Sequence, residues 1–221
     1  MAESNDKVKE NQKNTRPLPP GGIKIAQAFK SILSGKEFSD ITIEDIVNAS
    51  GMNSALIYKY YGDKRGLLHS LLSEGMDRYL ERLDRELKGI RGALNKLRKL
   101  IWVHFNLYRE DRVVARILLL EVRNHRSYYE SEGYGKMRRY ALIMKGIIEE
   151  GVRNGEIRSD IPVWVIRQSL MGAIEHLCLP WVVGGREYSE DLHTDHVCEL
   201  FFGGIQAPRG EEGLERDPGN Y

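Results

Sequence analysis

Apolar residues recur three and four positions apart along most of the chain, a spacing that places their side chains on one face of an α-helix. The pattern predicts helices over residues 22–33, 63–87, 90–108, 113–122, 137–152, 161–183 and 191–202. No sustained alternation of apolar and polar residues is present, and no internal repeat is evident. We therefore predict an all-α protein.

Two further short helical segments follow the first predicted helix and are separated by a glycine turn. Thr42 precedes the first segment, where its hydroxyl would accept a hydrogen bond, and Asp45 occupies the position of Glu in a capping box. Gly51 suits the end of this segment because it lacks a Cβ. Asn53 or Ser54 would cap the second segment. Two short helices joined in this way form a helix-turn-helix, whose second helix enters the DNA major groove.

This stretch resembles the DNA-binding segment of the TetR family of bacterial transcriptional regulators. The family typically has a Thr opening the second helix, an A-x-G turn, a third helix ending in Y-x-Y/H-F, then a Lys and an apolar pair. Leu56 and Gly62 depart from the pattern, since the family usually carries Thr and Lys or another polar residue there. The matching residues are Thr42, Ala49, Gly51, Tyr58, Tyr60, Tyr61, Lys64, Leu67 and Leu68.

The resemblance implies a homodimer that binds a double-stranded, near-palindromic operator through its paired recognition helices. It implies a three-helix DNA-binding domain over residues 21–66 and a helical ligand-binding and dimerisation domain over residues 67–206. Thr42, Tyr58 and Lys64 would hold phosphates. The residues expected to face base edges are Ser54, Ala55, Leu56 and Lys59. Asn53 and Tyr60 complete the predicted DNA-binding set, although Tyr60 and Tyr61 would also pack in the domain core.

The C-terminal half resembles the subset of the family that responds to fatty acyl-CoA, through the segment EEGVRNGEIRSDIP and a following apolar helix that contains GAIEH. In this segment Gly155 would stop one helix, Asp160 would cap the next, and Pro162 would lie in its first turn. The effector would occupy an apolar cavity lined by aromatic and Met side chains at helical spacing. Such a stripe of side chains is also typical of an ordinary helical core. The predicted ligand-binding residues are Trp102, Phe105, Tyr108, Arg116, Leu118, Arg123, Tyr140 and Met144.

Charge is distributed unevenly in a chain whose net charge is only +1. Residues 91–145 contain thirteen basic residues against five acidic ones, and residues 146–221 contain six against fourteen. The excess indicates either an anionic ligand or two solvated faces. Because guanidinium groups match phosphate oxygens, a set of arginines could bind a coenzyme A head group, or simply pair with nearby glutamates. The set is Arg112, Arg116, Arg123, Arg126, Arg138 and Arg139.

The last two long helices are those that, in the family, form a four-helix bundle with their copies in the partner subunit. Small residues would allow close helix approach, and large apolar residues would supply buried area, unless they belong to the core of one chain. The predicted interface residues are Trp164, Gly172, Ala173, Leu177, Trp181, Leu200 and Phe201.

Several classes of protein find no support in the sequence. The chain has no apolar signal segment near residue 1, and charged residues interrupt its most apolar run, so we expect a cytoplasmic protein without a membrane span. Cys178 and Cys198 lie in apolar helices and are expected to be buried free thiols. His193 and His196 have metal-ligand spacing but no matching further ligand, so surface histidines are expected.

No catalytic motif or cofactor-binding motif is present, so we predict a ligand-responsive DNA-binding regulator, most simply a repressor, and not an enzyme. The alternative is a helical small-molecule-binding protein or enzyme whose first hairpin is only structural. Residues 1–20 and 207–221 contain too little apolar surface to fold and are expected to be disordered tails.

Overall fold

The computed structural model describes residues 18–206, which are helical apart from their connections and one isolated β-bridge between Ile157 and Gln206. This confirms the prediction of an all-α protein. The predicted tails, residues 1–20 and 207–221, lie outside the described residues except for positions 18–20. The helices are α1 Pro20–Leu33, α2 Ile43–Ser50, α3 Ser54–Tyr61, α4 Lys64–Leu87, α5 Ala93–Glu110, α6 Arg112–Arg116, α7 Arg126–Tyr129, α8 Glu132–Arg153, α9 Val163–Gly184 and α10 Glu190–Ile205.

The described part of the chain divides into two compact units, residues 18–64 and 65–206. In the first unit, α1, α2 and α3 enclose a small core to which Phe29, Ile46 and Ile57 each contribute a fully buried side chain. A short 3₁₀ turn, Phe38–Asp40, places the Phe38 ring edge-on to Phe29 at 6.3 Å between centroids. A core of this kind is sufficient to hold a three-helix unit only if the helix ends are also stabilised locally.

The ends of α2 and α3 are capped as the sequence predicts. Thr42 Oγ1 accepts from the Asp45 backbone N–H at 3.0 Å, and Asp45 accepts from the Thr42 N–H at 2.8 Å, which completes the capping box. Gly51 ends α2 in the left-handed conformation, at φ 66°. Asn53, rather than Ser54, caps α3 by accepting from the Leu56 N–H at 3.1 Å. The turn between the two helices is therefore fixed by local side-chain chemistry.

In the second unit, α5 is the central helix, and α8, α9 and α10 pack against it. Every residue from Leu100 to Tyr108 is buried or half-buried, including the polar residues His104 and Asn106. The unit is thus built around a helix that is largely enclosed from Leu100 to Tyr108, with only Trp102 and Leu107 partly exposed. No helix within residues 18–206 combines the length and apolarity that a bilayer-spanning segment requires.

Two glycines allow unusually close helix contacts in this unit. A Cβ at Gly75 of α4 would lie 2.7 Å from both methyl groups of Val114. A Cβ at Gly151 of α8 would lie 2.6 Å from Ile157 Cδ1 and 2.8 Å from Ala93 Cβ. These separations are shorter than carbon atoms tolerate, so both positions require glycine for packing.

The structure corrects three sequence expectations. Asp160 does not cap α9: Pro162 is the N-cap residue, and Asp160 instead accepts from the Arg158 guanidinium at 2.5 and 2.6 Å. The predicted helix over residues 113–122 is α6 followed by a π-helical segment, Ile117–Glu121. The short helix α7 was not predicted, because four residues are too few to show an apolar period.

We predict that Gly151→Ala destabilises the protein by about 1–3 kcal/mol, since the added methyl group would overlap Ile157 and Ala93. Urea unfolding of the full-length variant would measure the loss. Gly146→Ala in the same helix is the control, because no atom lies within 4 Å of its Cβ position. That substitution should stabilise by about 0.5–1 kcal/mol through helix propensity. Equal effects of the two substitutions would contradict the packing argument.

Candidate DNA-binding and effector sites

The outer face of α3 carries most of the predicted DNA-binding residues. Asn53, Ser54, Ala55 and Lys59 are exposed, and the Tyr58 side chain is 53% exposed. Ile57 on the opposite face is fully buried and anchors the helix in the core of the first unit. Thr42, at the start of α2, is also exposed. The helix therefore presents a polar surface that includes a hydroxyl group, a phenol and an ammonium group.

Two of the predicted residues on α3 are only half exposed. Leu56 Cδ1 lies 3.8 Å from the Cβ position of Gly21, and Tyr60 Cδ2 lies 3.4 Å from that of Gly22. Both side chains therefore contact the start of α1. The neighbouring Tyr61 hydroxyl donates to the Gly22 carbonyl at 2.8 Å, consistent with its expected place in the core.

Lys64 has a structural role that the sequence did not reveal. Its ammonium group donates to the carbonyl oxygens of Phe38 and Ile41 at 2.8 and 2.6 Å and lies 4.4 Å from the centre of the Phe38 ring. These contacts hold the 3₁₀ turn and the residue before Thr42 in place. A direct phosphate contact by Lys64 would have to compete with them, so the structure favours an indirect role for this residue.

Most of the predicted ligand-binding residues meet in the interior of the second unit. Phe105, Tyr108, Leu118, Tyr140 and Met144 are all fully or almost fully buried. His104 and Tyr79 join them. The Tyr140 hydroxyl lies 2.8 Å from His104 Nδ1, and the Tyr79 ring centre lies 5.1 Å from that of Tyr140. The sequence signal for Tyr79 was weak, since it appeared only as one apolar position of α4.

Burial sets the protonation of this interior. It lowers the pKa of His104 to about 4, so the imidazole is neutral at pH 7. Burial likewise raises the pKa values of Tyr79, Tyr108 and Tyr140, whose hydroxyl groups stay protonated. The interior is therefore apolar but contains several neutral hydrogen-bonding groups.

Trp102 lies apart from this interior. Its indole N–H donates to Asp191 Oδ1 at 2.7 Å, and the Lys99 ammonium group lies 4.7 Å from its ring centre. It borders an open cavity of about 650 Å³ with Ile90, Asn95, Arg98, Lys99, Asp191, Thr194 and Asp195. A polar cavity of this kind is distinct from an enclosed apolar pocket.

The predicted arginine cluster is divided among separate contacts. Arg123 forms a two-pronged ion pair with Glu175, at 2.7 and 2.5 Å, which raises the pKa of the guanidinium group. Arg112 donates to the carbonyl oxygens of Val182 and Val183 at the end of α9. Arg126 is 95% exposed in its side chain and pairs only loosely with Glu130, at 3.7 Å. Arg116 is half-buried, and Arg138 and Arg139 are exposed on α8. These arginines do not form one phosphate site in the structure.

A different set of arginines borders a cavity of about 340 Å³ along α4 and the end of α5. Arg82 pairs with Glu110 at 2.7 Å, and Arg78 contacts Asp111 at 3.2 Å. The lining residues are Arg78, Tyr79, Glu81, Arg82, Arg85, Leu107, Glu110 and Asp111. Tyr79 therefore borders both this cavity and the buried interior.

The predicted interface residues fall into two groups. Trp164, Leu177 and Leu200 are exposed, at 65%, 41% and 77%, and Gly172 is also exposed. Ala173 and Phe201 are half-buried. Trp181 instead packs within the chain, because its indole N–H donates to the Tyr108 carbonyl at 2.9 Å and Arg112 lies over its ring.

The cysteines and the paired histidines have structural surroundings. Cys178 and Cys198 are buried free thiols, as predicted, and burial raises their pKa values to about 12 and about 11. His193 Nδ1 lies 3.0 Å from the Ser189 carbonyl, and its ring contacts Tyr188. Within residues 18–206, no group of three or more His, Cys, Asp or Glu side chains is arranged to hold a metal ion.

Both units of the chain match known protein families. The family of bacterial regulatory proteins named tetR matches residues 28–71, and the C-terminal region of YsiA-like proteins matches residues 72–204. The fatty acid metabolism regulator protein of Bacillus subtilis is 27% identical over 186 residues, which cover 84% of this chain and 96% of that protein.

Solved structures of related regulators have a similar fold. FadR of Bacillus subtilis, in complex with stearoyl-CoA, is 27% identical, has a TM-score of 0.74 and is matched over 83% of this chain and 99% of that chain. FadR of Bacillus halodurans has the same fold, with a TM-score of 0.75, 21% identity and coverage of 86% and 98%. The chain belongs to the TetR family of DNA-binding transcriptional regulators, with a YsiA-like C-terminal region, and is not an enzyme.

Proposed function

We propose that this regulator is a homodimeric repressor that binds a near-palindromic operator and is released from it by a fatty acyl-CoA. The observation that carries the effector assignment is the similarity to Bacillus subtilis FadR over nearly its whole length, in a structure that contains stearoyl-CoA. Recognition of DNA rests on the exposed face of α3, and the dimer on the exposed apolar face of α9 and α10.

The outer face of α3 supports a division of work between base and phosphate contacts. Ser54, Ala55 and Lys59 lie at the exposed start and centre of the helix, where a recognition helix contacts base edges. Leu56 is half-buried, so only part of its side chain is available to touch a thymine methyl group. Thr42 and Tyr58 are exposed hydroxyl donors for phosphates. Asn53 keeps its capping role, and Tyr60 supports the helix from its inner side.

The apolar face of α9 and α10 supports dimerisation. Trp164, Leu177 and Leu200 expose large apolar surfaces that a monomer would leave in water. Gly172 has no atom within 4 Å of its Cβ position, so another helix could approach closely there. Two copies of this face would form a four-helix bundle around a two-fold axis. A palindromic operator requires the same two-fold symmetry of the two recognition helices.

The second unit supports an amphiphilic effector. Phe105, Leu118, Tyr140 and Met144 provide an apolar interior for an acyl chain. Arg82 and Arg85 border the cavity along α4, and guanidinium groups bind phosphates through paired N–H donors. Arg123 is held by two hydrogen bonds to Glu175, whose side chain is only 16% exposed, whereas Arg82 makes one contact to Glu110, whose side chain is 55% exposed. We therefore assign the coenzyme A phosphates to the α4 arginines rather than to the cluster around Arg123. A ligand that favours a conformation with lower operator affinity would act through α4, which begins at the last residue of the first unit.

We expect Lys59→Ala to weaken operator binding by about 1–3 kcal/mol and to relax preference at one base pair of each half-site. Operators would be isolated by selection from genomic fragments, and fluorescence anisotropy would compare single-base variants. Lys64→Met is the contrasting variant, since it removes the ammonium contacts to Phe38 and Ile41. It should lower the melting temperature without changing base preference. A Lys64→Met protein with wild-type stability and a reduced salt dependence of binding would instead support a phosphate contact.

Leu200→Glu should convert the dimer into monomers, because it would bury a carboxylate in the proposed bundle. Light scattering after size-exclusion chromatography would report the mass. Leu142→Glu is a matched control, since Leu142 is 62% exposed but belongs to α8 and not to the two helices of the proposed interface. Dissociation by both variants, or by neither, would argue against an interface formed by α9 and α10.

Stearoyl-CoA should release the protein from its operator, whereas free coenzyme A should not. The double variant Arg82→Gln/Arg85→Gln should weaken stearoyl-CoA binding about tenfold or more, because each lost charge-assisted hydrogen bond contributes about 1.5–3 kcal/mol. Isothermal titration calorimetry would measure the dissociation constants of stearoyl-CoA for the wild type and for the double variant. Arg126→Gln, at an exposed arginine of α7, should bind like the wild type. Unchanged binding by the double variant would exclude the α4 arginines as the phosphate site.

A further inference from the structure

Four buried aromatic side chains bring their polar atoms together inside the second unit. Tyr79 comes from α4, His104 and Tyr108 from α5, and Tyr140 from α8, and we call them the tyrosine–histidine cluster. The Tyr140 hydroxyl lies 2.8 Å from His104 Nδ1, and the Tyr79 hydroxyl lies 3.5 Å from the same nitrogen. The His104 and Tyr108 ring centres are 4.5 Å apart. All four side chains are at least 98% buried.

Two polar atoms of the cluster have no hydrogen-bond partner within residues 18–206. They are His104 Nε2 and the Tyr108 hydroxyl oxygen. The neutral imidazole either donates or accepts at Nε2, depending on the tautomer that the Tyr140 hydroxyl selects at Nδ1. Either tautomer leaves one unmet hydrogen bond, and the Tyr108 hydroxyl adds a donor and an acceptor. A contact between the imidazole and the face of the Tyr108 ring would be weaker than an N–H···O bond.

These atoms are costly to bury without partners. An unsatisfied buried polar group destabilises the folded protein, and Tyr108→Phe would fill nearly the same volume without that penalty. DNA binding and dimerisation do not use the interior of the second unit. Asn106 Oδ1 is also buried without a partner, but it projects from the opposite face of α5, about 200° around the helix from His104. The cluster itself thus contains a matched donor and acceptor pair with no structural use.

The cluster suits a neutral group better than a charged one. The adjacent charges, Arg123 and Glu175, already neutralise each other through two short hydrogen bonds. A carboxylate buried here would lose its hydration without gaining a cationic partner, which a few neutral donors do not offset. A ligand hydroxyl or carbonyl oxygen can accept from Tyr108 and meet His104 Nε2 without carrying charge into the core.

Tyr79 provides the connection to the surface. It is 2% exposed, yet it borders the arginine-lined cavity along α4. Its hydroxyl group lies within the cluster, so this one side chain stands between the cavity and the cluster. An amphiphile whose anionic end stays with Arg82 and Arg85 would extend its chain toward His104 and Tyr108.

We propose that the tyrosine–histidine cluster binds a neutral oxygen of the effector, a hydroxyl or carbonyl group carried by an otherwise apolar ligand. The inference rests on the proposed acyl-CoA response and makes it more specific. The oxygen could be the thioester carbonyl group, present in every acyl-CoA, or a hydroxyl group on the chain. Tyr108 and His104 then discriminate between oxygenated and fully apolar ligands of the same length.

The test compares ligands that differ in one oxygen, in the full-length protein and in Tyr108→Phe. Isothermal titration calorimetry would use stearoyl-CoA, its thioether analogue octadecyl-CoA, 3-hydroxystearoyl-CoA and 12-hydroxystearoyl-CoA. If the thioester carbonyl group binds the cluster, stearoyl-CoA should bind about three- to tenfold more tightly than octadecyl-CoA. This ratio corresponds to one neutral hydrogen bond. If a chain hydroxyl group binds the cluster, one of the two hydroxystearoyl-CoA esters should bind more tightly than stearoyl-CoA by the same factor. In either case the Tyr108→Phe variant should bind the two compared ligands with equal affinity.

Stability of the ligand-free protein gives a second readout. Tyr108→Phe should melt at or above the wild-type temperature, because the lost hydroxyl group has no partner among the described residues. Tyr188→Phe is the control, since its hydroxyl group donates to the Phe105 carbonyl at 2.6 Å. That variant should melt at a lower temperature and still distinguish the ligands as the wild type does. A lower melting temperature for Tyr108→Phe, or an equal effect on all four ligands, would overturn the inference.

Failure of the acyl-CoA response is separable from failure of the cluster. If no coenzyme A ester binds the wild type, the proposed effector is wrong, and the cluster is tested with 1-decanol and 2-decanone against decane in a thermal-shift assay. A shift produced by the oxygenated probes alone, and lost in Tyr108→Phe, would support the cluster without the acyl-CoA response. Equal behaviour of the three probes would overturn the inference, because the cluster would then not recognise oxygen.

Discussion

The enclosure of α5 by its neighbours is the constraint on which the second unit depends. From Leu100 to Tyr108 only Trp102 and Leu107 are partly exposed, so the buried polar groups of this stretch must find partners inside the protein or bind a ligand. Gly151 permits this enclosure by allowing α8 to approach Ala93 at the start of α5. The same constraint makes the unit stable and leaves a few polar atoms in its interior.

The first unit depends on local chemistry instead. Its core is small, so the ends of its helices are fixed by the capping box of Thr42 and Asp45, by Gly51, and by Asn53. The Lys36 ammonium group adds a 2.8 Å contact to Asp45 and lowers the pKa of that carboxyl group to about 2. A recognition helix that must present its residues in one register benefits from such fixed ends, because DNA contacts tolerate little displacement.

Division of function between the two units follows from these different constraints. The first unit exposes polar residues on one rigid helix, which suits sequence reading. The second unit contains an apolar interior with neutral polar atoms and a nearby set of arginines, which suits an amphiphilic effector. A ligand can change operator affinity only through a difference in its affinity for two conformations, and α4 is the covalent connection between the units.

The sequence by itself determined the long helices, the glycine turn with its Thr42 cap, and the outer face of α3, because these depend on neighbours within a few residues. Tertiary structure alone decided that Lys64 holds carbonyl groups 23 and 26 residues away, that Arg123 pairs with Glu175, and that Trp181 faces inward. It also assembled Tyr79, His104 and Tyr140 from three separate helices. Periodicity marks which side of a helix is buried, but the partner across the core depends on how distant segments pack.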